Sequence, residues 1–426
     1  MMRPNGRVFK DERVTIMAFG LTKKELSWVL YDVGNSAFVM LSTALIPVYF
    51  ASIADPGSSV VVAWGYAETV ASLVLALLMP VLGSLADLAG NKKKFLVGFA
   101  GTGAVACAAL GIPEHALVFL VVYVIAAIML NGSMVFYDAF LVDATTEERY
   151  DKVSSHGYAW GYIGSCIPFI ACLAVVLGGS SFGIDAKLGM KIAFIITAVW
   201  WVIFTVPVAK NVKQLHGKKR SDHVLRTTIS GLKGTVKSIM KDKRLLFFML
   251  AFFFYIDGVH TVIKMSTSYG TDLGIDSTQL VLALLVTQFV AFPSTIAYGN
   301  LAKRFGTKRM LKVGVLAYFF IVLFAAFFLK SAVEFWILAI CVGLFQGGIQ
   351  ALSRSEYGKL IPKERANEYY GFFDIFCKYA AVMGTFLVSA FTQLTGSSSL
   401  GVLSIALLFI VGFLFLRAMP PMLGDS

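Results

Sequence analysis

The sequence predicts an all-α membrane protein whose twelve transmembrane helices form two six-helix bundles, with both termini in the cytoplasm. Three observations predict it: a composition too apolar for water, apolar runs of spanning length, and one loop motif that occurs twice. Of 426 residues, 58% are hydrophobic and 15% charged, against roughly 45–50% and 25% in soluble domains. With 25 acids and 37 bases the chain cannot clothe the surfaces of two or three soluble domains. The net charge of +12 does not imply nucleic acid, because the bases follow the membrane topology set out below.

A helix needs about 20 apolar residues to cross roughly 30 Å of hydrocarbon. Runs that meet this cover 27–53, 60–82, 95–112, 116–141, 157–178 and 189–209, then 245–266, 277–300, 311–329, 333–352, 371–394 and 399–417. Cytoplasmic loops carry the excess of lysine and arginine, and 32 of the 37 bases fall on the side of the N-terminus. The N-terminal tail is basic and has no cleavage site, so no signal peptide is expected. The five cysteines show no paired spacing and read as small buried hydrophobes.

The expected units are a bundle over 1–209, a basic linker over 210–244 and a second bundle over 245–426. The linker carries 11 bases against Asp222 and Asp242, and is expected to lie solvated at an anionic leaflet.

The repeated motif is Gly83-Ser84-Leu85-Ala86-Asp87-Leu88-Ala89-Gly90-Asn91-Lys92-Lys93 after the second run. It returns after the eighth as Gly299-Asn300-Leu301-Ala302-Lys303-Arg304-Phe305-Gly306-Thr307-Lys308-Arg309, offset by 216. Two halves of the same topology then relate by an axis along the membrane normal. Gly83, Gly90, Gly299 and Gly306 permit tight connections and close helix approach. Asp87 can accept from a helix N-terminus, and Lys92 and its neighbours are expected at headgroup level. Lys303 replaces the acid in the second copy, so an acidic contact is expected in the first half only.

Ionisable groups at membrane depth cost about 2.5–3.5 kcal/mol at the centre, so they face a bundle interior, a cavity or a partner. The first run carries Asp32 with Asn35 one turn on, the second Glu68, the fourth Asn131 and, near its inner end, Asp138. The seventh carries Tyr255, Asp257, His260 and Lys264, the tenth Gln346 and Gln350, the eleventh Asp374 and Lys378. Asp257, His260 and Lys264 fall within about 60° on one helical face. Asp32 and Asp257, each in the first helix of its half, are expected to be counterparts. Asp374 and Lys378 have the spacing of a pair within one helix. Glu68 and Asp257 are candidate proton carriers. Runs three, six, nine and twelve are clean and are expected to face lipid, while one, four, seven and ten line a path. Gly157-x-x-x-Gly161 and Gly343-x-x-x-Gly347 mark close helix contacts.

The paired motif resembles the signature loop of the major facilitator superfamily, which implies twelve helices, two rocking bundles and a solute path between them. Four further strings resemble one branch of it, the vacuolar amino-acid effluxer family first known from autophagy, with its bacterial members. They are Tyr31-Asp32-Val33-Gly34-Asn35-Ser36-Ala37-Phe38, Tyr255-Ile256-Asp257-Gly258-Val259, Gln350-Ala351-Leu352-Ser353-Arg354-Ser355 and Asn367-Glu368-Tyr369-Tyr370-Gly371-Phe372-Phe373. The resemblance implies export of amino acids or related small solutes. The fourth run lacks the buried arginine of many proton-coupled facilitators, and the fifth lacks the glycine-proline signature of drug antiporters.

The expectation is a secondary transporter for a small polar or zwitterionic, amino-acid-like solute in the inner membrane. It works as a monomer by alternating access, with the proton as candidate coupling ion. Asp32, Asn35, Glu68, Asn131, Tyr255, Asp257, His260, Gln346, Gln350 and Lys378 line the cavity. Gly83, Asp87, Gly90, Lys92, Gly299, Lys303, Gly306 and Asp374 serve gating. No cofactor, metal or nucleic acid is expected, and no catalytic pattern marks an enzyme. The alternative is a lipid or amphiphile flippase of the same fold.

Overall fold

The computed structural model describes residues 18–54, 60–218 and 224–420. It is all-helical: α1 (Lys23–Ala44), α2 (Ile46–Ile53), α3 (Val60–Ala86), α4 (Lys92–Ala109), α5 (Ala116–Ala139), α6 (Leu141–Ala144), α7 (Tyr150–Gly178) and α8 (Ala186–Asn211) precede the linker helix α9 (Val224–Lys241). After it come α10 (Lys243–Asp272), α11 (Ser277–Phe305), α12 (Thr307–Phe328), α13 (Ala332–Leu360), α14 (Ala366–Thr395) and α15 (Ser398–Ala418). Among the described residues nine helices are long and apolar enough to cross a membrane, or ten if α1 and α2, bent by 45°, form one span. Two further long helices, α4 and α14, fall on expected runs but outside that number. One opens on Lys92-Lys93-Lys94 and the other carries Asp374 and Lys378 near its middle.

The helices start where capping chemistry tells them to. Thr22 and Glu25 form a capping box at α1, Asp185 caps α8, and Asp242 caps α10 through Arg244 N and Leu245 N. The first run breaks at Leu45. Pro47 follows in the first turn of α2, where its missing N–H leaves no helical hydrogen bond unmade.

The helices before the linker pack on one another, as do those after it, and the two sets meet along α3 with α14, α5 with α14, α7 with α11 and α7 with α13. The first helix of each set is anchored alike. Tyr31 Oη donates to Ser133 Oγ on α5, and Tyr255 Oη pairs with Ser353 Oγ on α13 at 2.7 Å. Gly34 abuts Phe204 of α8, and Gly258 abuts Phe409 of α15. The outward faces are apolar, as with Ile195, Val199, Val202 and Ile203 on α8 and Phe320 and Phe327 on α12.

The repeated loops use their glycines in the same two ways. Gly90 and Gly306 have φ of +82° and +88°, a backbone open to glycine without strain. A methyl group on Gly83 would stand 2.5 Å from the carbonyl oxygen of Asn367 at the start of α14, and one on Gly299 would strike Ser155 on α7. Both contacts join one set of helices to the other at the end of the molecule that carries the linker. Gly83→Val therefore cannot keep this end closed. Overpacking costs about 1–3 kcal/mol, so a cysteine at the buried Ser155 should react with a water-soluble maleimide about tenfold faster in that variant. An unchanged rate would mean that the contact is dispensable.

Candidate functional site

At the linker end a single arginine ties the two sets together. Arg354, 1% exposed on α13, lies 2.9 Å from Asp138 Oδ1 on α5 and 3.6 Å from Asp32 Oδ2 on α1. Its Nε donates to Ser154 Oγ and one Nη to the Ser154 carbonyl on α7, both at 2.9 Å. The guanidinium also lies over the rings of Tyr158, Trp28 and Tyr137, at 4.3, 4.7 and 5.3 Å. Tyr137 Oη donates to Asp32 Oδ2 at 3.2 Å. Fork, stack and ion pair together satisfy a cation that would be very costly if buried alone. A second tie stands beside it: Asp151 on α7 accepts from Ser355 and from Lys359 of α13 and from Thr307 of α12.

The third tie is made by the first signature loop. Asp87 Oδ1 accepts from Asn367 N at 2.9 Å and from Asn367 Nδ2 at 2.8 Å, and Oδ2 accepts from Glu368 N at 3.1 Å. These backbone groups are free donors in the first turn of α14, so Asp87 caps a helix of the opposite set. Lys303, in the second copy, is exposed.

Away from the linker end the sets still touch, with Gln288 Nε2 of α11 3.6 Å from Met40 Sδ of α1. On α3, Trp64, Glu68, Ala71, Leu75 and Met79 share one face within about 80°. Ala71, Leu75 and Met79 are 2%, 1% and 0% exposed, yet Glu68 on the same stripe is exposed and accepts a hydrogen bond from Tyr123 of α5. An open carboxylate on a face that is otherwise packed marks a cleft between helices. Asn131 of α5 is half-buried, its Nδ2 donating to Ala127 O. A second cleft, between α10, α11 and α13, is lined by Val262, Ile263, Leu284, Phe335 and Leu338, with Ser266, Thr287, Gln288 and Gln346 as its polar members. Gln350, between this cleft and Arg354, donates to Tyr162 Oη on α7 at 3.2 Å.

Several expectations are corrected. Asp257 is not the counterpart of Asp32. It is fully buried against α14, where Oδ1 accepts from Gly384 N at 2.9 Å and from Thr261. The matched pairs Tyr31/Tyr255 and Gly34/Gly258 set Ile256 opposite Asp32 and Val33 opposite Asp257. Val33 packs on Gly164 of α7 as Asp257 packs on Gly384. One residue of register turns a side chain by about 100°, so Asp257 fixes packing within its set. The polar stripe of α10 is split accordingly: His260 is half-buried, with Cys377 Sγ 3.9 Å from its Nδ1, and Lys264 is exposed. Tyr255 is fully buried on Ser353 and does not line the cavity. Asn35, 1% exposed, donates to Tyr31 O in its own helix. Lys92 does not face outward to the headgroups. It is fully buried, 2.6 Å from Asp143 and 3.2 Å from Ala139 O. Asp374 is half-buried within electrostatic reach of Asp138, and the side chain of Lys378 lies outside the described residues.

The linker is also not merely solvated. Lys218 N donates to Asp87 O and Ala89 N to Lys218 O, while Gln214 Oε1 accepts from Gly90 N and Lys92 N. Asp143 Oδ1 accepts from Leu215 N and His216 N, both at 2.8 Å.

Comparisons with known proteins agree with this architecture. A family model described as vacuole effluxer Atg22 like matches residues 57–422. YxiO, an MFS-type transporter of Bacillus subtilis (strain 168), is 45% identical over 408 residues, 94% of this chain and 95% of its own. Autophagy-related protein 22 of Cryptococcus neoformans var. neoformans serotype D (strain JEC21 / ATCC MYA-565) is 26% identical over 283 residues, 61% of this chain and 48% of that protein. The chain thus matches about half the length of this fungal relative. The fold matches that of the major facilitator superfamily transporter FucP in the outward conformation, with a TM-score of 0.70 at 14% identity over 94% of this chain and 99% of that one. A bacterial homologue of the iron transporter ferroportin in an outward-facing state gives 0.67 at 14% identity over 93% and 98%. With a family match over most of its length and a relative aligned nearly end to end, this chain belongs to the Atg22-like vacuole effluxer family of major facilitator superfamily transporters.

Proposed function

We infer that the protein is a secondary active transporter that moves a small polar or zwitterionic, amino-acid-like solute by alternating access. In this reading 1–209 and 245–426 are two six-helix bundles, giving twelve spans, with 210–244 between them. The linker end faces the cytoplasm, both termini are cytoplasmic, and the monomer works in the inner membrane. The observation that carries the reading is one-sidedness: Arg354 seals the linker end across the two sets, while Glu68 stands open beyond it. Alternation requires that seal to break as a new one forms at the other end. Two carboxylates, Asp32 and Asp138, share one guanidinium, and the ammonium of a zwitterion or a proton would balance the second. Glu68 and Asp257 both support proton coupling: Glu68 stands open, and Asp257 keeps a buried Oδ2 with no hydrogen-bond partner among the described residues while Gly384 N holds its Oδ1.

The test is counterflow of labelled amino acids in proteoliposomes. Uptake should exceed that of empty vesicles and be competed by unlabelled solute, and an imposed pH gradient should change it in wild type but not in Glu68→Gln. No counterflow with any amino acid refutes the solute class, and flux indifferent to the gradient removes the proton. A second reading, transport of an amphiphile, is favoured by the apolar cleft of Phe335, Leu338 and Val262 beside Gln288 and Gln346. Competition by lysolipid without competition by amino acids would select it.

A further inference from the structure

We propose that α9 is a binding surface for anionic phospholipid headgroups of the leaflet at the linker end, and that lipid bound there holds the Asp87–α14 gate closed. The sequence from 224 to 241 has no acidic residue. Lys233, Lys237 and Lys241 follow one another at four-residue spacing, within about 80° of the helix, and all three are exposed. Val236 and Met240, 42% and 65% exposed, adjoin that stripe, while Thr235 and Ile239, 0% and 7% exposed, lie opposite and face the protein. Exposed apolar residues beside lysines are the signature of a helix lying in a membrane interface, its apolar edge at the acyl boundary and its cations on phosphates.

The place in the fold agrees. α9 packs on α3 and α10, and it is followed at once by Asp242, the cap of α10, a candidate membrane span. The helix therefore lies across the ends of spans, where headgroups are. Its inner face reaches the gate. Thr235 Oγ1 donates to Glu368, which also holds Arg365 at 2.8 Å and Lys218 at 2.6 Å, and whose N–H donates to Asp87. Opening must part Asp87 from α14 while Glu368 is pinned by the linker. A lipid that fastens α9 to the leaflet thus opposes opening, whatever solute the path carries.

The test uses the full-length protein in nanodiscs of phosphatidylcholine with or without phosphatidylglycerol. A fluorophore on Met240→Cys reports contact through quenching by brominated lipid, with the wild-type chain as background for its native cysteines. Maleimide labelling of Ser155→Cys on α7 reports the gate. Brominated phosphatidylglycerol should quench more than brominated phosphatidylcholine, and phosphatidylglycerol should slow Ser155→Cys labelling. In Lys233→Gln/Lys237→Gln/Lys241→Gln the preference should fall by about tenfold or more and the difference in labelling should vanish. The matching triple arginine variant should keep both. Equal quenching by the two lipids, a labelling difference that survives in the glutamine variant, loss of both effects in the arginine variant, or lipid preference without any effect on labelling would each overturn the proposal.

Discussion

Arg354→Ala is expected to abolish transport and to destabilise the protein by about 3–5 kcal/mol, the usual cost of leaving a buried pair with one partner. Removing the guanidinium strands Asp32 and Asp138 without their shared cation and takes the stacked face from Trp28, Tyr137 and Tyr158. Arg354→Lys should recover part of the stability, because it restores charge but neither the fork to Ser154 nor the stacking. Exchanging the ends of the pair, Asp138→Arg with Arg354→Asp, should recover more than either change alone if the pair is what matters. Counterflow and thermal unfolding measure all five variants, the two single exchanges included. An alanine variant with wild-type uptake and unfolding temperature would remove Arg354 from the gate.

The role of Arg354 is hidden in the sequence for a physical reason, although the residue stands in one of the family-like strings. It lies beyond the apolar run of its helix and so counts among loop bases, yet α13 continues to Leu360 and carries it between two sets of helices. Its partner Asp138 stands 216 positions earlier, the offset of the signature loops. The repeat thus placed the two together, but with opposite charges, where a search for like residues finds nothing. The helical runs and the paired loops were legible because apolar length and glycine spacing are local properties. Asp257 and Lys92 were misplaced because burial is not local. A one-residue change of register sends the first against Gly384, and Asp143, from a different helix, draws the second into the protein interior.

Asp87 should separate charge from hydrogen bonding at the gate. Burial pushes its carboxyl up to about 6 from 3.8, against the pull of Lys92, Lys218 and the Asn367 donors. A raised carboxylate pKa means that the docked state holds the proton more readily than a solvated Asp87. Closure therefore gains stability as pH falls from about 6 toward 3.8, and gains nothing from further change above 6. Asp87→Asn resembles the protonated form, so at neutral pH it should keep the linker end closed at least as well as wild type, slow transport, and lose this part of the pH dependence. Asp87→Ala leaves Asn367 N and Glu368 N without an acceptor, and a lost cap costs about 0.5–2 kcal/mol, so it should open the gate instead. Labelling of Ser155→Cys across pH reads both. If asparagine and alanine accelerate labelling alike, the carboxyl acts through its charge and not through the cap. The proton-dependent hold on α14 would then be wrong, since a neutral acceptor in the same place could not keep the gate shut.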